Sequence, residues 1–312
     1  MDNNTKTFDV LVIGELNVDL ILNGSITPEF NQKEQLLKDA QLVLGSSSAI
    51  FACGVARLGL KVAFLGLVGD DVFGKFVIEE LGARNVDTHA IKITPKVKTG
   101  CTVILNRGND RAIMTHPGSI AQLKKSDLDL SLFKSARHLH LGGYFLLDSL
   151  KKDVSSIFRL AHQNHLTVSL DTNYDPKEKW GLGRDNPLRD TDIFFPNETE
   201  IKQITRQPDV ESAMKSLGYI STIAVKRGKA GAFARQKNEI KTVTVMKVKV
   251  KDTVGAGDSF DAGFLYGYLS GFGLEKSLKL ASVCGSLSTT QAGGIAGQPT
   301  LSKAMPYLKN LK

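Results

Sequence analysis

The chain has 312 residues, 42% apolar and 23% charged, with 40 Lys and Arg against 32 Asp and Glu. That is the composition of a soluble globular chain, long enough for one large domain or two small ones and able to bury a core without covalent staples. Its three cysteines, Cys53, Cys101 and Cys284, are too few and too far apart for a disulfide framework or a zinc knuckle, so a reducing compartment is expected. Residues 1–9 lack the basic start and apolar stretch of a signal peptide, and no apolar run approaches the roughly 20 residues of a membrane span. The expected location is cytoplasmic, with no membrane partner.

The net charge of +8 raises the question of nucleic acid, but the lysines are scattered. The densest tract, Lys247, Lys249 and Lys251 alternating with valines, reads as a half-buried strand with one solvated face. It lacks the interleaved aromatics of a polyanion-binding stripe, and no nucleic-acid partner is expected. A basic chain still attracts anionic small molecules such as nucleotides.

In chain order, short apolar runs at residues 10–13, 62–65, 102–105, 138–141, 167–170, 193–195 and 222–225 predict strands. Longer segments at 48–58, 73–81, 150–164 and 259–269 have helical periodicity. Their alternation predicts a parallel sheet covered on both faces. Residues 15–45 and 95–118 break the rhythm with alternating polar and apolar positions, and are expected to form a small accessory sheet, a lid on one α/β domain spanning 1–312. Ligands of such a sheet sit beyond the carboxyl ends of its strands. Polar and glycine residues follow the runs there: Asn17 and Asp19, Gly142-Gly143, Asp171 and Asn173, Asn197 to Glu200, and Lys226 to Gly228.

Residues 69–75 have the spacing of a Walker A loop, but Phe76 stands where a Ser or Thr should hold magnesium, and Asp70 and Asp71 would repel phosphate. The strongest signal is Asp252-Thr-Val-Gly255-Ala-Gly257-Asp258, ahead of an apolar helix. On chemistry alone two readings stand. Either the small residues turn backbone N–H groups and a helix N-terminus toward phosphate, with Asp258 handling a proton, or this is a glycine turn with an acidic cap. His138 and His140 share a strand face without an evident third ligand, so satisfied strand histidines are expected rather than a metal site. The three cysteines are expected to be core thiols, and Phe264, Tyr266 and Tyr268 core aromatics.

The 252–264 segment resembles the second signature of the ribokinase-like, or PfkB, carbohydrate kinases, and the resemblance runs along nearly the whole chain. Gly14 to Asp19 is similar to the family's first-strand motif, Gly66 to Gly74 to its VGxDxxG segment, Asn197 to Glu200 to NxxE, and Gly228 to Gly231 to GxxG. The resemblance implies a three-layer ribokinase-like α/β fold with a mostly parallel sheet and a β lid. It also implies ATP-dependent phosphorylation of a sugar, with Mg2+ and, in many members, K+. Asp258 then takes the place of the base, and the N–H groups of Gly255, Ala256 and Gly257 that of the anion hole. Asn197 and Glu200 match the magnesium-organising positions, acting through waters. Lys226, Gly228, Gly231, Asn197 and Gly257 border the nucleotide, and Asn17, Asp19 and Gly45 the sugar. Asp252 and Val254 match a monovalent-cation site.

Two departures bear on substrate, and a third, at Gln291, on the cation site. Where the family often has GGxxxN, Gly45-Ser46-Ser-Ser-Ala-Ile50 replaces the second Gly with Ser46 and the Asn with Ile50. Asp175 stands where members of the fructokinase and keto-deoxygluconate kinase type carry Arg, and Gln291 follows Thr290 where many have Arg. The first lid segment offers only Lys33 and Lys38 as cations, and Arg107 and Arg111 flank a Gly-Asn turn in the second. With Asn17 and Asp19 favouring hydroxyl donors, the expected substrate is a neutral hexose or pentose phosphorylated at a primary hydroxyl. The alternatives are a nucleoside, for which Ile50 offers an apolar seat, and a catalytically retired sensor of sugar or nucleotide. A homodimer through the lid is the expected assembly.

Overall fold

The structure, a computed structural model, describes residues 6–24, 27–107 and 110–311. The first five residues, part of the start read above for a signal peptide, and the Gly108-Asn109 turn of the lid lie outside the described residues.

Strand β1 (Phe8–Ile13) is apolar at nearly every position, as a strand covered on both faces requires. The chain then leaves the main sheet for β2 (Asn17–Asn23) and β3 (Asp39–Leu44), and returns through α1 (Ser47–Leu58). Strand β4 (Val62–Gly69), helix α2 (Val72–Gly82) and the short β5 (Val86–Asp87) and β6 (Ile91–Thr94) follow. A second excursion makes β7 (Gly100–Arg107) and β8 (Asp110–His116). The body resumes with α3 (Ser119–Gln122), β9 (Ala136–Leu141), α4 (Val154–Gln163), β10 (Thr167–Leu170) and β11 (Ile193–Phe194). Helices α5 (Glu198–Thr205) and α6 (Val210–Ser216) lead to β12 (Thr222–Lys226), then β13 (Ala232–Gln236) and β14 (Glu239–Val243). Helices α7 (Ala256–Leu269), α8 (Leu274–Ser288) and α9 (Leu301–Ala304) end the fold.

The main sheet runs β14-β13-β12-β11-β10-β9-β1-β4-β5, with β6 also on β4. It is parallel from β12 to β5, and β13 pairs antiparallel with both its neighbours. Alternation along each strand divides the core in two. Val10 and Val12 face α1, α7 and α8, whereas Leu11 and Ile13 face the side of α4 to α6. From β1 the chain runs outward to β4 and later comes back to β9 on the other side, so the order reverses beside β1. That is where an open α/β sheet leaves a crevice.

The two lid segments meet in a four-stranded sheet, β3-β2-β7-β8, in which β2 and β7 pair in parallel and the outer strands antiparallel. The lysine tract differs from its expectation. Residues 244–250 form no strand, because β14 ends at Val243 with nothing beyond it to pair. Helix α7 begins at Ala256 rather than near 259, so Asp258 belongs to its first turn. Cys53 and Cys284 are core thiols, but Cys101 lies half-buried in the lid. His138 bonds Thr167 Oγ1 and Ser169 Oγ, each at 2.7 Å, and His140 bonds Ser169 Oγ at 2.8 Å, which satisfies both strand histidines as expected.

Candidate active site

Asn17 and Asp19 lie on one face of β2 at the base of the lid, both buried. Asn17 Nδ2 donates to Asp19 Oδ1 at 2.9 Å and to Thr102 Oγ1 of β7 at 3.3 Å. Gly45 lies against them, and a Cβ there would run into Asp19 Oδ1 and Asn17 Nδ2. Burial pushes the Asp19 carboxyl up to about 6; the Asn17 and Thr102 bonds oppose the shift and the Glu15 charge adds to it.

The sequence reading assigned Glu15 no role, yet it is 2% exposed and organises the entry to α1. Its carboxylate accepts from the hydroxyls of Ser47 and Ser48 and from Ser48 N at 3.2 Å. A negative charge thus occupies the positive end of α1. The serines that replace the family's glycine pattern are its partners. Ser46 keeps a left-handed φ of 70°, and its hydroxyl donates to Glu15 O while accepting from Ala49 N at 2.9 Å. Ile50 packs beneath Gly255 and Gly294, where its side-chain carbons limit what either glycine could carry.

Gly255 caps α7 at φ 71°, a conformation only glycine adopts without cost. No side chain caps this helix, so first-turn amides are left for a ligand, and Ala256 N makes only a long turn contact of 3.3 Å to Thr253 O. Asp252 fastens the turn from behind by accepting from Val254 N (3.0 Å) and Gly293 N (2.9 Å). Asp258 follows in the same turn. Burial, with the charges of Asp171, Glu15 and Glu200, raises its carboxyl well above the ordinary range, and Lys226 opposes this.

At the carboxyl end of β11, Asn197 and Glu200 form a reciprocal cap on α5. Asn197 N donates to Glu200 Oε2 (2.7 Å), Glu200 N to Asn197 Oδ1 (2.9 Å), and Asn197 Nδ2 to Glu200 Oε1 (2.6 Å). Glu200 is 4% exposed, and burial followed by Asp171 pushes it up to about 7. A buried carboxylate under the pressure of Asp171, which Lys226 and Asn197 offset only in part, fits a hard divalent cation such as Mg2+, with water between. Gly228 and Gly231 close the tight turn from β12 to β13, with Arg227 N bonded to Gly231 O at 2.9 Å. Lys226, expected at the nucleotide, turns its ammonium inward to Asp171 (2.8 Å) and Asp261 (2.9 Å). Sequence could not signal that pairing, since its partners come from the turn after β10 and from α7.

Two other features differ from a simple motif reading. Asp175, at the family's Arg position, accepts from the backbone N of Lys177, Lys179 and Trp180 and so shapes its own loop. The Walker-like segment places Asp71 on the N-terminus of α2, accepting from Gly74 N and Thr99 N, each at 2.8 Å, where a phosphate would otherwise sit.

An uncapped helix start with a basic carboxylate, at the reversal point of a parallel sheet and under a β lid, is the arrangement of the ribokinase-like fold. An Arabidopsis ribokinase solved with ribose and ATP superposes with a TM-score of 0.85 at 22% identity, covering 97% of this chain and 99% of that one. An E. coli protein solved with ATP and Mg2+, described as a candidate ribokinase II, gives 0.86 at 25% identity with the same coverage. The sequence matches the pfkB family carbohydrate kinase profile over residues 7–301, and the chain belongs to that family of ATP-dependent kinases. It is 27% identical to a 5-dehydro-2-deoxygluconokinase of Geobacillus thermodenitrificans, covering 98% of this chain and 95% of the relative. It is also 26% identical to the ribokinase of Haemophilus influenzae, over 96% and 98% respectively. No helix among the described residues is long and apolar enough to cross a membrane.

Proposed function

We propose that the protein transfers the γ-phosphoryl group of ATP to a primary hydroxyl of a neutral hexose or pentose. Asp258 takes the hydroxyl proton, and burial, which raises its carboxyl above the ordinary range, makes the ionised form a stronger proton acceptor. The amides of Gly255, Ala256 and Gly257 receive the transferring group, whose chemistry needs positioning and charge neutralisation above all. Mg2+ supplies that neutralisation when bound, with Asn197 and Glu200 holding its waters. Asp252 and Val254 are the proposed K+ position; each Asp252 oxygen accepts one amide and keeps a lone pair for a cation. Gly228, Gly231 and Gly257 border the nucleotide. The protein acts in the cytoplasm.

The observation that favours a neutral sugar is the pair of buried carboxylates, Glu15 and Asp19, beside Gly45 and the start of α1. Glu15 already occupies the helix end that an acidic substrate would seek, and an anion left unpaired there would be expensive. A second reading, an acidic keto sugar, has two observations in its favour. The charge of Arg111 reaches Asp19, and several relatives at 26–27% identity are named 5-dehydro-2-deoxygluconokinase. Ile50, packed against Gly255 and Gly294, is engaged by the protein itself, which weighs against a nucleoside seated on it.

The test is ADP release from ATP across ribose, fructose, glucose, nucleosides, 2-keto-3-deoxygluconate and 5-dehydro-2-deoxygluconate. The highest kcat/KM is expected on a neutral sugar. An acidic sugar that exceeded every neutral one would overturn the reading. Asp258→Asn is expected to lower kcat by about 10²–10⁴, the worth of a positioned base, while ADP still binds.

The lid is the proposed surface for a homodimer. One face presents a row across all four strands, Leu42, Leu20, Val103 and Met114 in register, and Leu42 and Met114 are 37% and 53% exposed. A continuous apolar row of that kind marks an interaction surface.

A further inference from the structure

Lys226 is set among carboxylates under the phosphoryl-receiving turn. Its Nζ pairs with Asp171 at 2.8 Å and with Asp261 at 2.9 Å. Asp171, Asp258 and Asp261 each bring an oxygen to within 4.8 Å of the others. Asp258 and Asp261 are three residues apart on α7 and so share a face. Lys226 lies along the start of that helix: a Cβ added at Gly257 would stand 3.6 Å from Nζ. Asp261 is 1% exposed, and burial raises its carboxyl well above the ordinary range, so that it holds a proton to share with Asp171.

A buried charge cluster of this kind contributes little net stability, because desolvation offsets most of the attraction. The cluster is therefore a poor device for holding the fold together. Three carboxylates so close are a donor set that suits a divalent cation, and here an ammonium on a side chain stands beside them. We propose that Lys226 is a positioning residue for phosphoryl transfer, a built-in cation that pins Asp171 and Asp261 and so fixes the first turn of α7, with Gly257 and Asp258, against the acceptor. The inference rests on the reading of Asp258 as the base.

Lys226→Ala removes the cation and leaves a slot of its shape. It is expected to lower kcat by about 10²-fold, the effect of a small misplacement of reacting groups, with ADP affinity by calorimetry within threefold of wild type. Propylammonium is expected to restore at least tenfold of kcat in a saturable manner, and 1-propanol, the same size without the charge, to restore none. Should Lys226→Ala fail to fold, the double variant Lys226→Ala, Asp261→Asn removes the unpaired charge and is expected to show the same kcat loss and the same amine rescue. Unchanged kcat in either folded variant would overturn the proposal. So would rescue by propanol equal to that by the amine, or a loss confined to ADP affinity. Asp258→Asn is measured alongside. If it retains wild-type turnover, the parent reading falls and this one with it; if it is inactive while Lys226→Ala is normal, only the role of Lys226 falls.

Discussion

Ser46 holds a backbone conformation that its position in the family pattern gives to glycine. A φ of 70° costs a non-glycine residue about 1–3 kcal/mol, and the two bonds of its hydroxyl, to Glu15 O and from Ala49 N, offset it. Ser46→Ala keeps the strain and loses both bonds, whereas Ser46→Gly loses the bonds and relieves the strain. The alanine variant is therefore expected to be less stable than the glycine variant by about 1 kcal/mol, the reverse of the order inside a helix, as read by urea denaturation. Asp19 shows a different balance. Burial raises its carboxyl from 3.8 to about 6, so the folded protein holds that proton more tightly than the unfolded chain. Its stabilising effect is full below pH 4 and is lost as pH rises through 6, amounting to up to about 3 kcal/mol. Asp19→Asn is expected to raise stability at pH 8 and leave it nearly unchanged at pH 4, while the sugar KM rises at least tenfold by loss of a double acceptor. A variant destabilised equally at both pH values would contradict this.

Among the elements, the central strands were legible because a strand covered on both faces must be apolar throughout, and the runs at 10–13 and 62–65 are. The start of α7 was not, since Ala256 and Gly257 have too little side chain to show a helical period. The lysine tract misled for the opposite reason: its alternation is real, but a strand also needs a neighbour to pair with. Asn17 with Asp19, and Asn197 with Glu200, meet as near neighbours in the chain can, whereas Glu15 and Lys226 take their meaning from Ser47, Ser48, Asp171 and Asp261, remote in the chain and invisible to spacing. The packing of α7 on α8 is close enough to test. A Cβ at Gly263 would stand 2.9 Å from Ala281 Cα and 3.0 Å from both Cys284 Sγ and Leu280 O. Gly263→Ala is expected to cost about 1–3 kcal/mol by overpacking and to lower kcat, since α7 holds Asp258. At the start of α5, Glu200→Gln is expected to raise the Mg2+ concentration for half-maximal rate and leave the sugar KM unchanged. A change in the sugar KM alone would reassign the residue.

For the molecule as a whole, the proposed homodimer joins through the row from Leu42 to Met114. Met114→Asp puts a charge at the exposed end of that row and is expected to shift sedimentation from dimer to monomer at micromolar concentration. A wild-type protein that sediments as a monomer at all concentrations would remove the proposed interface.

The pairing of β2 with β7 also bears on the order in which the molecule assembles. These strands lie side by side and in parallel, but β3, α1, β4, α2 and two short strands separate them in the chain. Bringing them together by chance in an unfolded chain costs loop-closure entropy with no local contact to repay it. Once the intervening segment has folded onto β1, the ends are delivered to each other and that cost is gone. The body should therefore form first and the full lid last, so that Asn17 of β2 meets Thr102 of β7 only in the final step of refolding. Pulse-labelling hydrogen exchange is expected to show β1 and β4 amides protected before those of β2 and β7. A folding intermediate would then hold a finished Gly255–Asp258 turn and an unfinished lid.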